Sequence, residues 1–395
     1  MKKLLKGIWL LALITQLFAC SSITDKGHAK LKIINLPLNY ALFNSEIYKD
    51  KLEEDIFYLT PVQQQEVQVL INKAVAKGTP KHIALNDLLT SKLANFTYYG
   101  DTYPAEAAMR LNKGNCMSLA VLTGAFAQVV GLEFSYREVN TLPVFDKQNN
   151  LLLSSSHVQT LLHEEDFTPD ADRFYFGTPG IIIDYFPSSD NRRGKKVSRD
   201  SFSAMYYKNL ASNALIEDDF NKAFYLAEKA YQFDKSNASV INLLAVIHRR
   251  SGDVTSAEGI YKAGLEIEPS SLALMSNYVV LLQTEQRHSE AKVLEDKLDF
   301  VDDPNPYIWL EQAYVAQMNN EIPKASRYYQ KVIEKAPYLN EPYIELYKIY
   351  KENGQVRLAK KMLINALEWT YEIAQRKQYK YKLYSLNLNL SMSEH

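Results

Sequence analysis

One alanine, returning at a fixed interval, constrains this chain more than any other feature. Ala223, Ala257, Ala291, Ala325 and Ala359 stand 34 residues apart without a slip. Four residues after each come Ala227, Tyr261, Glu295, Tyr329 and Leu363, and seven after each come Ala230, Gly264, Leu298, Val332 and Ala366. Residues spaced by four and seven share one helix face. The recurrent small residue lets a second helix approach closely, and the bulky one packs beside it. Pro269 and Pro337 follow the second and fourth alanines by 12 residues and end their helices. A second small position recurs at Ala211, Ala245 and Ala313, with Trp309 or Tyr343 at the bulky position of the later copies. Each unit reads as a helix hairpin that buries its apolar face only by stacking on its neighbours.

A 34-residue period with this order of small, bulky and small residues and then proline resembles the tetratricopeptide repeat. The resemblance implies five repeats over about 204–373, within an all-α solenoid at 201–395. Residues 374–395 supply a polar cap that includes Arg376, Lys377 and Lys380. The third repeat is degraded at Glu295 and Leu298, so its packing is the least constrained of the five. Such arrays hold a protein or peptide partner, which is the partner expected here.

At 395 residues the chain exceeds one typical core, which leaves room for another domain and a targeting segment. Lys2, Lys3 and Lys6 precede an uncharged run from Gly7 to Ala19. That run is too short to span a bilayer and has the length of a secretory apolar region. It ends in Leu17-Phe18-Ala19-Cys20 followed by Ser21, which resembles the lipobox of bacterial lipoproteins. The resemblance implies a signal peptide at 1–19, lipidation at Cys20 and a lipidated tether at 20–36. It also implies anchoring in the bacterial envelope, at the outer membrane facing the periplasm. A formal net charge of -1 gives no support to nucleic-acid binding. With Cys20 lipidated, Cys116 has no partner for an intrachain disulfide.

Between tether and repeats, residues 61–77, 81–94 and a segment opened by Thr102 and Pro104 read as helices. Gly114-Asn115 breaks the third. Met117 to Val130 contains no charge and is apolar on every face, as a fully buried helix is. Segments 134–139, 157–162, 174–176 and 180–186 then read as short strands. Together they give an α+β domain at 37–200.

The chemistry centres on Cys116. A thiol at the head of a buried helix meets unpaired backbone N–H groups and the positive end of the dipole, which favour thiolate. The same residue also serves as a small hydrophobe at the head of a core helix. A nucleophile needs a base, and His157 opens a strand after a serine-rich loop. His163 adjoins Glu164, Glu165 and Asp166 and reads as a solvated turn. Asp184 sits in the apolar strand Gly180 to Phe186, where an unpaired carboxylate is costly. Gly-Asn-Cys at a helix start, His at a strand start and Asp ending an Ile-rich strand, in that order, resemble the transglutaminase-like superfamily from Tyr98 through Pro187. The resemblance implies Cys116 as nucleophile, His157 as general base and acid, and Asp184 as orienting carboxylate. It implies a cysteine-dependent hydrolase or acyltransferase acting on amide bonds: a peptidase, amidase or transamidase. The superfamily also holds members without activity, so a non-enzymatic adaptor is the alternative. The papain-like oxyanion glutamine, six residues before the nucleophile, is replaced here by Arg110, which leaves Tyr103 as a candidate donor. No nucleotide-binding or metal motif is present, and no cofactor or metal is expected.

Overall fold

The computed structural model describes residues 35–49, 55–93, 101–140, 145–148, 151–154, 157–165, 167, 179–185, 192–303, 305–370 and 373–393. The leader, Cys20 and most of the tether lie outside these residues, as does the strand read at 174–176. Helix α1 (Pro61–Val75) begins at a reciprocal cap between Thr60 and Gln63, with proline in its first turn. It ends two residues earlier than its sequence pattern, because the Lys77 and Thr79 N–H groups fold back onto the Ala74 carbonyl. Helix α2 (Lys81–Leu93) follows. Helix α3 (Ala105–Leu111) breaks at Asn112, at a left-handed φ of 51°, and not at the Gly114-Asn115 pair that the sequence pattern suggests. Asparagine is among the residues that tolerate this region best.

Helix α4 (Cys116–Val129) is the core of this part: every side chain from Met117 to Ala127 is buried. It lies against a four-stranded antiparallel sheet in the order β5-β4-β1-β6. The strands are β1 (Phe134–Asn140), β4 (His157–His163), β5 (Gly180–Asp184) and β6 (Arg192–Val197). A separate hairpin pairs β2 (Phe145–Gln148) with β3 (Leu151–Ser154). Strand β6 escapes a sequence reading because Arg192, Arg193, Lys195 and Lys196 leave no apolar alternation, and lysines are common on sheet edges. Tyr136 of β1 ties the layers together. Its hydroxyl donates to the Ala120 carbonyl of α4 at 3.0 Å, so close that a Cβ on Gly124 would lie 2.2 Å from that oxygen.

From Arg199 onward the chain is helical. The pairs are α5 (Arg199–Ile216) with α6 (Phe220–Phe233), α7 (Ala238–Arg250) with α8 (Val254–Ile267), and α9 (Leu272–Thr284) with α10 (His288–Phe300). They continue with α11 (Pro306–Met318) and α12 (Ile322–Lys335), then α13 (Glu341–Glu352) and α14 (Val356–Trp369), before a last helix α15 (Ile373–Ser393). Within each pair the turn is the same device. Asp218, Gly252, Gln286, Asn320 and Gly354 take φ values of 56°, 85°, 58°, 62° and 70°. The N–H after each reaches back to Ala214, His248, Leu282, Ala316 and Tyr350 respectively, satisfying an orphan carbonyl at the end of the first helix. All five signature alanines are buried. The degraded third repeat closes regularly: Leu298 is fully buried, and Glu295 accepts a hydrogen bond from Gln283. At the far end Arg376 donates to the Leu367 and Thr370 carbonyls, capping α14, while Tyr379 and Leu386 cover the core around Leu363. This half of the chain is a tetratricopeptide-like helical solenoid.

Candidate functional site

Cys116 occupies the first position of α4, half-buried, with Asn115 as the cap. The Asn115 carboxamide accepts from the Ser118 N–H at 3.1 Å and donates to Thr102 Oγ1 at 2.7 Å. Ser118 Oγ in turn accepts from the Tyr103 N–H at 2.7 Å. The helix head and the 101–103 loop are therefore stitched into one unit, which fixes the backbone around the thiol. The Tyr103 hydroxyl, the candidate oxyanion donor, turns to Asp101. Arg110, at the position of the papain-like glutamine, is held by Glu106 on the same helix.

Behind the thiol lies a buried polar chain with no marker in the primary structure. The Tyr185 hydroxyl donates to Thr160 Oγ1 at 2.6 Å and also hydrogen-bonds Thr123, about two turns along α4 from the helix head. Burial raises the Tyr185 pKa far above its usual value despite those two bonds, and the Cys116 and Asp184 charges push it the same way. The phenol stays protonated, and its position brings Cys116 and Asp184 within electrostatic reach of one group.

Asp184 ends β5, half-buried, and one of its partners is the Gln159 side chain, which donates to Oδ2 at 2.7 Å. The two residues face each other in the β4–β5 register. The backbone of His157 opens β4 two residues upstream, paired with Val139. The structure thus sets Asp184 on the strand beside the one that His157 begins, while the helix that Cys116 begins packs on that same β4. Gln159 carries no signal in the sequence that pairs it with Asp184, because the strand register brings them together. His163 is a correction: it is not in a solvated turn but closes β4, half-buried, with Nε2 3.0 Å from Ser135 Oγ and burial lowering its pKa.

A second feature runs along the first helices of the repeats. Asn242 accepts from Asn277 at 3.0 Å, Ser276 donates to Gln312 at 2.7 Å, and Gln317 donates to Glu345 at 3.4 Å, each bond joining one repeat to the next. Lys208 of α5 and Glu311 of α11 are half-covered, yet crowded enough that burial lowers the lysine pKa and raises that of the acid. Each feels the other's charge although two helix pairs lie between them in sequence. Polar groups on this line of helices are thus partly withdrawn from water. Among the described residues no group of three His, Cys, Asp or Glu side chains stands close enough to hold a metal, and no helix is long and apolar enough to cross a membrane.

No protein-family model matches this chain, and no curated protein does. Among solved structures, PilF of Pseudomonas aeruginosa is similar at 16% identity and a TM-score of 0.30, over 49% of this chain and 93% of that one. A thermophilic TPR protein of Thermus thermophilus is similar at 17% identity and 0.29, over 47% and 99%. YrrB, a TPR protein with an unusual peptide-binding site, is similar at 14% identity and 0.26, over 45% and 92%. These likenesses are remote, and the repeat character of the helical half rests on its own turns and spacing.

Proposed function

We propose that this chain is an adaptor that holds a protein or peptide partner on its helical repeats. The observation that carries the reading is the line of polar side chains linking the first helices of successive repeats, closed in by Lys208 and Glu311. Desolvated polar groups gain most from a partner that replaces water with fitted hydrogen bonds, and they reject partners that leave them unpaired. The N-terminal lipobox-like segment supports tethering of this activity to the bacterial envelope through Cys20. The test is photo-crosslinking in cells from position 242 or 277 of the full chain, compared with the exposed Lys361 of α14. Adducts are expected from the first two and not from the third. Equal yields at all three positions, or none at 242 and 277, would overturn the reading.

A second reading is supported by Cys116 at the head of α4, the helix that packs on β4. On the transglutaminase-like pattern, Cys116 attacks an amide carbonyl, His157 takes the thiol proton and delivers it to the leaving amine, and Asp184 orients the imidazole. Water or a second amine then releases the acyl group, so that repeats recruit a protein which the thiol site cuts or modifies. Alkylation of Cys116 by iodoacetamide, followed on its own peptide by mass spectrometry, tests this across pH. An apparent thiol pKa at least one unit below the usual ~8.5 is expected, returning toward it in His157→Ala. Identical profiles in the two proteins would remove the thiol reading and leave the adaptor.

A further inference from the structure

Leu36 to Tyr48 lie along α6, α7 and α8, some 170 to 220 positions away in sequence. Pro37 fits the notch left by Gly259 of α8, where a Cβ would come within 2.7 Å of its ring. The Asn39 N–H donates to His248 Nε2 at 3.2 Å, and its carboxamide donates to Asp253 Oδ2 at 2.7 Å. The Phe43 ring stacks on Phe224 at 4.2 Å and meets the His248 ring edge-on at 5.1 Å. The Asn44 N–H donates to Asn221 Oδ1 at 2.8 Å, and the Tyr48 hydroxyl donates to Asp219 at 2.8 Å. Asp219 and Asp253 are equivalent caps of successive repeats, so the segment spans one whole repeat step.

We propose that Leu36–Tyr48 is a proton-released clasp, closed on the first two helix pairs while His248 is neutral and opened when His248 gains a proton. The hydrogen-bond directions require it. His248 Nδ1 lies 2.8 Å from the Leu244 carbonyl, which only accepts, so Nδ1 carries the hydrogen. Nε2 faces the Asn39 N–H, which only donates, so Nε2 must offer its lone pair. A second proton would set N–H against N–H inside a site where His248 is 0% exposed. Neither remaining bond can turn to accommodate it.

The surroundings agree. Burial lowers the His248 pKa, and the Leu244 carbonyl and Asp253 carboxylate oppose that without cancelling it. Asp253 is the charged group facing the ring from α8. Burial works against its ionisation, but hydrogen bonds from Ser256 and Asn39 hold it below the usual carboxylate range, so it stays charged down to pH 5. From α6 the ring meets Phe224 and from the clasp Phe43, both uncharged. Arg250, on the same helix, is engaged with Leu215 and Asp218. Because the closed pKa lies below the open one, closure is complete above the open-state value of about 6.5. It weakens as pH falls from there toward the closed-state value.

The test is hydrogen exchange on the full chain, corrected for the intrinsic pH dependence, at pH 7.5 and pH 5. Peptides covering 36–48 should lose protection on acidification, by at most about thirtyfold for an open-state pKa near 6.5, while α11 to α14 keep theirs. Phe43→Ala should expose the segment at both pH values. In His248→Gln, whose amide offers one donor and one acceptor without titrating, protection should not change with pH. Two results would overturn the proposal: unchanged protection of 36–48 in the wild type, or an equal response in His248→Gln. If the glutamine variant fails to close at pH 7.5, Asn39→Pro decides, since it lacks the N–H that opposes the proton. An acid response undiminished there refutes the clasp.

Discussion

Trp309→Ala should remove about 3–5 kcal/mol of stability, the cost typical of deleting a large buried aromatic. Trp309 is 0% exposed, and three separate contacts hold it. Its indole N–H donates to the Asp303 carbonyl at 2.8 Å, its ring lies 5.7 Å from that of Tyr328, and the Lys331 ammonium sits 3.9 Å above it. Alanine leaves a cavity, an unpaired carbonyl and a half-buried cation without its aromatic face. Lys331 retains the Asp299 carbonyl, so the damage centres on the fourth repeat. In a stacked array the loss is passed to adjacent repeats through their shared interfaces. Chemical denaturation followed by helical circular dichroism should show the midpoint fall, with Trp309→Phe recovering most of it. A loss below about 1 kcal/mol would mean that the site is looser than its contacts indicate.

Phe202→Ala should cost a similar amount and also change the form of unfolding. Phe202 of α5 is stacked on Tyr136 of β1 at 3.7 Å and on Phe57 at 6.0 Å, with the Arg199 guanidinium 4.7 Å above Phe57. These rings are the joint between the sheet and the first helix pair. Removing the central one takes about 3–5 kcal/mol from the interface and leaves the sheet and helices joined by weaker contacts such as Arg199 with Gln128. Hydrogen exchange of peptides from β1 and β4 and of peptides from α7 to α14 should then show the two parts melting apart where they melt together in the wild type. Coincident melting in the variant would show that other contacts make the joint.

The repeats were legible because packing acts on composition: close helix approach demands a small side chain, so alanine returns every 34 residues. The turns were not legible, although they repeat just as strictly. Asp218, Gly252, Gln286, Asn320 and Gly354 share a backbone conformation rather than a residue type, and only two of them are glycines. At the thiol site the buried helix and the costly carboxylate of Asp184 were readable from charge and hydropathy. The Gln159 amide beside that carboxylate depended on strand register, which links residues 25 apart. Likewise the basic strand β6 depends on pairing with β1, a long-range contact with no local trace. The Leu36–Tyr48 segment carries one proline, two asparagines and three aromatics in no periodic order, and its docking is dictated by the surface that receives it.

That segment also has a mechanical meaning. Thirteen residues wrapped against the helices are stored length: fully extended they would span roughly 43–47 Å at 3.3–3.6 Å each. A body fastened through its N-terminus would, on loosening Leu36–Tyr48, sweep a longer radius, by at most that length less the distance the docked segment already spans. Loosening would thus act as a change of leash, altering which surfaces the repeats can touch without altering the repeats themselves.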